Sequence, residues 1–212
     1  MDKIENAINT QLSAAQVLEC NVVRSPLARG VGGQFNHQEW LIDLNERTLC
    51  SPLINSAEAS ALAETVFHEA KHGEQFFKIA RLLAGQGESA EAINARTGIN
   101  LRAATEAMAS PITSGTPEAE RPQAFFDSIF DAHRDKRDAI YMRLDYWESR
   151  ITQVNELWHI AASPEEKAQL LLDLQEAKNE RRLAETDYKS LPEEVEAWLA
   201  GSNVGKIYLG RT

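Results

Sequence analysis

No stretch of 18 consecutive apolar residues occurs in the chain, so nothing in it reads as a membrane-spanning helix. Cysteine is scarce. The two thiols, Cys20 and Cys50, are too few for a disulfide framework. They flank an expected hairpin and could pair across it, but two buried thiols are the simpler expectation. Positive charge is also short: 22 Lys and Arg stand against 32 Asp and Glu, a net charge of −10. Binding to a phosphate backbone needs clustered excess Lys and Arg, so nucleic acid is not the expected partner. Met1–Asn6 has neither a basic head nor a hydrophobic stretch, so no secretory signal is expected and the chain reads as cytoplasmic when synthesised.

What is present is an ordinary globular composition, 43% apolar and 25% charged over 212 residues. One domain over residues 1–212 is expected, large enough for a substantial core. Residues 2–17 carry Ile4, Ile8, Leu12 and Ala15 at helical spacing. Residues 17–23 and 39–45 are short β-branched or aromatic segments, separated by the turn-rich Arg29-Gly30-Val31-Gly32-Gly33. They predict two strands joined by a loop, the second a cover for the neighbouring helix or an exposed edge for an extended peptide.

The central stretch is a helix predicted from about Ala57 to Ala84, with Ser56 as N-cap and Gly85-Gln86-Gly87 as its end. Leu62, Val66, Phe76, Ile79, Ala80 and Leu83 give it one buried face. Within it lies His68-Glu69-Ala70-Lys71-His72. Residues four apart share a helix face, so His68 and His72 can aim two imidazoles at one metal ion. Glu69, one step round, is placed to handle a water without being a ligand. Two surface histidines on a solvated helix would be the plain alternative, but Ala63, Val66 and Phe67 favour a half-buried His68.

Beyond this helix, residues 88–109 read as two short helices about Gly98 with Ile99 turned inward. With only Arg96 and Arg102 basic nearby, a packing pair fits better than a DNA reader. Residues 110–122 hold three of the seven prolines and predict a loop. Helical periodicity returns over about 123–162, and Ser163-Pro164-Glu165-Glu166 starts another helix running to about Tyr188. Two long antiparallel helices follow, so the expected fold is α+β and predominantly α-helical. After Pro192 a last helix opens with Glu193, Glu194 and Glu196, which favour a helix N-terminus whatever else they do. His37, His133 and His159 are weaker candidates for a third metal ligand, since a lone His is more often a packed or surface residue.

Residues 65–77 (Thr-Val-Phe-His-Glu-Ala-Lys-His-Gly-Glu-Gln-Phe-Phe) together with 191–198 (Leu-Pro-Glu-Glu-Val-Glu-Ala-Trp) resemble a gluzincin-type zinc metallopeptidase domain. More narrowly, they are similar to zincin domains of bacterial polymorphic and secreted toxins, including type VI secretion effectors. The resemblance covers the central helix, the strand at 39–45 and the C-terminal helix, and leaves 86–187 as a helical insertion. It implies that His68, His72 and Glu194 bind Zn²⁺, with Ala197 as the small residue that lets the two helices approach. It also implies that Glu69 is the general base, and that Gln75 and Glu74 support the histidines. Tyr188, Tyr208 and His159 are candidate oxyanion donors. Trp198 stands where this pattern commonly has Asp. The implied function is peptide hydrolysis by a secreted effector, its partners being a protein or peptide substrate, an immunity protein and a secretion carrier. The alternative is a regulatory or binding protein on the same scaffold, using the 88–109 pair; a helical adaptor with a chance motif is a third class.

Overall fold

The computed structural model describes residues 2–28, 30–49 and 55–210; Cys50 lies outside them, so its pairing with Cys20 does too. The fold is α+β and predominantly α-helical, with one three-stranded sheet. Two compact units are formed: Met1–Phe126 with Val195–Thr212, and Asp127–Glu194. The segment expected as an insertion therefore divides, its first part packing within the first unit.

In the first unit, α1 (Asp2–Ala14) buries Ile8 and Leu12, two of the four residues on its predicted stripe. It stops short of residue 17 because Gln16 adopts φ +58. The sheet comprises β1 (Asn21–Ser25), β2 (Gly33–Asn36) and β3 (Leu41–Asn45) in the order β1-β3-β2. The expected hairpin between the first and last of these is not formed. They run parallel, Asn21 opposite Leu41, and the stretch read as loop supplies β2, antiparallel to β3 with Phe35 opposite Ile42. The turn between β2 and β3 is made by Asn36, whose side chain accepts from the Gln38 and Glu39 amides at 3.0 Å, and by Trp40 at φ +59. β3 is thus paired on both sides and buried over Ile42–Asn45, so it offers no edge to a peptide. The glycines mark close packing: a Cβ on Gly33 would lie 3.0 Å from the Asp43 carbonyl oxygen and from the Thr65 side chain.

After the single turn α2 (Glu46–Leu49) comes α3 (Ser56–Gly85), the helix that carries the motif. Its N-cap is Asn55, one residue before the expected Ser56. The Asn55 side chain accepts from the Ala57 and Glu58 amides, and Glu58 reaches back to the Asn55 amide at 3.0 Å, a complete capping box. Val66, Phe76, Ile79, Leu82 and Leu83 bury the inner face.

Two short helices follow, α4 (Ala90–Thr97) and α5 (Leu101–Ala107), turned by Gly98 at φ +72 with Ile99 fully buried, as the pattern predicts. Arg96 pairs with Glu88 at 2.5 Å and Arg102 donates to the Glu19 carbonyl, so neither is presented as a phosphate contact. The predicted loop is shorter than expected, because α6 (Pro117–Ile129) starts at its second proline. Proline suits the first helical position, and Pro122 inside the helix sacrifices only one backbone bond.

The second unit is a hairpin of α7 (Arg134–Ile160) and α8 (Pro164–Lys189). Ser163 caps α8 in a capping box with Glu166, with Pro164 at the first position. Ile140, Val154, Ala177 and Ala184 are the buried side chains along the pair. Antiparallel register is marked by Arg143–Asp187 at 2.7 Å, Glu148–Arg181 at 2.5 Å and Arg150–Asp173 at 3.2 Å. Such exposed pairs fix register more than stability, each contributing on the order of 0–1 kcal/mol. The last helix is α9 (Pro192–Tyr208).

Candidate metal centre

α3 sets the two histidines by its period alone. Their Nε2 atoms face each other at 3.1 Å, with the rings at 85°. His72 Nδ1 lies 2.9 Å from Gln75 Oε1, a carbonyl oxygen that can only accept. The proton of His72 is thereby placed on Nδ1, and a lone pair is left on Nε2, where a metal would sit. Gln75 is 1% exposed, so this support is built into the core. It fills the expected supporting role; Glu74 does not. Its carboxylate is shared between Lys71 at 2.8 Å and Lys78 at 2.6 Å.

His68 is buried, and desolvation pushes its pKa down to about 4, while the backbone of Ala197 draws it back upward. The imidazole is therefore neutral at physiological pH, the form that donates to a metal. The indole of Trp198 packs against it, ring centroids 4.8 Å apart.

The third group comes from the first turn of α9. One ligand atom from each of His68, His72 and Glu194 can be chosen so that all lie within 4.8 Å of one another. Glu194 is 3% exposed. Burial raises its pKa to about 7, offset in part by the Tyr188 hydroxyl; neighbouring Glu193 raises it further and Arg137 lowers it. Its two acidic neighbours are engaged elsewhere. Glu193 accepts from Arg137 Nε at 3.1 Å, and Glu196 pairs with Arg121 at 2.7 Å and Lys71 at 3.5 Å.

α9 approaches α3 closely because its facing residues are small. Ala197 is fully buried, a Cβ on Gly201 would lie 2.6 Å from the Glu64 carbonyl oxygen, and Ser60 Oγ donates to the Gly205 carbonyl at 3.0 Å. Ala197 therefore stands where the sequence pattern wanted a small residue, and the two glycines continue the row one and two turns on.

Glu69 is buried on the same helix, and one carboxylate oxygen accepts from the Phe35 amide of β2 at 2.8 Å. That bond ties the carboxylate to the sheet. The remaining sequence candidates fall elsewhere. His37 stacks on Phe76 at 4.4 Å, while His133 and His159 are exposed at the two ends of α7. Tyr188 gives its hydroxyl to Glu194, and the Tyr208 side chain lies outside what the structure describes. The Phe35 amide and Tyr141 had no mark in the sequence beyond residue type, while Trp198 and Tyr188 were singled out there for other reasons. Only the four-residue spacing of Arg137 and Tyr141 hinted at a contact.

The donor set could hold a metal ion. Two imidazoles and one carboxylate converge, and burial of Glu194 disfavours its charge unless a cation accompanies it. Against known proteins, no family model, no curated protein and no solved structure matches the chain.

Proposed function

We propose that the chain is a zinc-dependent hydrolase of peptide bonds. The observation that carries this is the convergence of His68, His72 and Glu194; Glu69, next to His68 in the chain, is buried with its carboxylate held by the Phe35 amide. His68, His72 and Glu194 would hold the metal, leaving room for a non-protein ligand in the manner of a catalytic rather than a structural site. Zinc, when bound, supplies Lewis acidity toward a carbonyl oxygen and a water. Glu69 takes the proton from that water and delivers it to the leaving amine. Gln75 keeps His72 in its donor tautomer, and the burial of His68 keeps that ring neutral. The sequence resemblance to secreted zincin toxins extends the proposal to a protein substrate in a target cell, with an immunity protein as the natural antagonist.

The test is elemental analysis followed by peptide cleavage. Native protein should carry about one zinc per chain, and His68→Ala should abolish it. Glu69→Gln should keep the metal while losing roughly 10²- to 10⁴-fold in activity, the range of a removed general base. Native protein that takes up no zinc when supplied with it would end the proposal.

A further inference from the structure

The second unit contains a chain of hydrogen bonds that ends on Glu194 and has no part in the proposed chemistry. Tyr188, at the end of α8, is hydrogen-bonded to the Glu194 carboxylate. Tyr188 is hydrogen-bonded in turn to Tyr141 on α7, the two rings meeting edge to face at 5.5 Å. Arg137, one turn before Tyr141, donates from Nη2 to its hydroxyl at 3.3 Å and places its guanidinium 4.6 Å from the ring centroid. The same guanidinium holds Glu193 through Nε at 3.1 Å.

The direction of every bond follows from what each group can donate. The ionised carboxylate that a metal would hold only accepts, so there Tyr188 donates to Glu194. Its single proton spent, Tyr188 must accept from Tyr141. Arginine only donates, so Tyr141 accepts from Arg137. Three donors therefore point one way, from a cation to the carboxylate, and each polarises the next.

We propose that Tyr188, backed by Tyr141 and Arg137, is a positioning residue that holds the Glu194 carboxylate in one orientation as a metal ligand. This rests on the metal site proposed above. A ligating carboxylate swings about its terminal torsion unless a second group fixes it, and such outer partners commonly contribute 10- to 100-fold in metal affinity. Glu193 belongs to the same device as an anchor: its ion pair ties Arg137 to the residue preceding the ligand.

The experiment measures zinc affinity by competition with a chromophoric chelator, and the visible spectrum of the Co²⁺-loaded protein, for native chain, Tyr188→Phe and Tyr141→Phe. Tyr188→Phe should weaken zinc binding about 10-fold or more and alter the cobalt bands, while metal-free thermal melting stays near that of the native chain. Tyr141→Phe, which leaves Tyr188 in place, should give a smaller loss in the same direction. Native affinity and an unchanged cobalt spectrum in Tyr188→Phe would overturn the inference while leaving the metal site standing. Absence of metal from the native protein would remove both. Should Tyr188→Phe fail to fold, Tyr141→Phe decides, a weakened site supporting the role and native affinity refuting it.

Discussion

Replacing Gly201 by alanine tests whether the close approach of α9 to α3 sets the metal site. In an ordinary helix interior the change is favourable by about 1 kcal/mol, because glycine gives up more backbone entropy. Here the new methyl would lie 2.6 Å from the Glu64 carbonyl oxygen, whereas ordinary contact begins at 3.4 Å. The obstacle is helix backbone and cannot rotate aside, so α9 must retreat by about 0.8 Å. Overpacking of this kind costs about 1–3 kcal/mol, leaving a net destabilisation of roughly 0–2 kcal/mol. Stability alone is thus a weak readout. The proposed ligand is a better one, since Glu194 lies two turns away on the same continuous helix, about 10 Å along its axis. Displacing one ligand of three by a sizeable fraction of an ångström should lower zinc affinity about 10-fold or more. Chelator competition reads that directly, with urea denaturation of the metal-free protein as companion. Gly205→Ala is the control, because its methyl meets the Glu64 side chain, which can swing away; it should be milder. Native zinc affinity in Gly201→Ala would refute the reasoning.

Further expectations follow from other contacts. Glu193→Gln should destabilise the protein by about 1–3 kcal/mol, because Arg137 is left without its buried partner, and should keep about one zinc per chain at somewhat lower affinity; complete loss of the metal from a folded variant would contradict its role as an anchor. Asn55→Ala removes the α3 N-cap and should cost about 1 kcal/mol in chemical denaturation. Burial, with Glu5 adding to it, pushes the Cys20 thiol up to about 12. In a Cys50→Ser background it should resist alkylation at pH 8 until the chain is unfolded. The sign follows from proton counting: between pH 9 and 12 the folded chain holds a proton the unfolded chain has lost. This contribution to stability is therefore intact below pH 9 and declines as pH rises through that window. Fast native alkylation at pH 8 would contradict the burial.

The sequence by itself determined most of the helices and the pair of histidines, but not the start of α6 inside the predicted loop nor the break between α6 and α7 in the expected helix over 123–162. Periodicity and caps depend on neighbours a few residues away, so α3, α8 with its Ser163 cap, and the Gly98 turn were legible. So was the shared face of His68 and His72, which needs only the helical period. The resemblance also singled out Glu194 with Ala197, and the structure places that carboxylate beside the histidines.

The tertiary structure alone decided three things. Strand pairing is a long-range matter. Gly32 and Gly33, at the start of β2, read as a turn because their real cause, close packing on Thr65 and Asp43, lies outside the local sequence. The separate surroundings of the three clustered glutamates are also tertiary: Glu193 meets Arg137, Glu196 meets Lys71 and Arg121, and Glu194 lies near the histidines. And Tyr188, which by residue type suited an oxyanion donor, is given to Glu194 instead. A hydroxyl carries one proton, and only the packing of α7 and α8 shows which acceptor receives it.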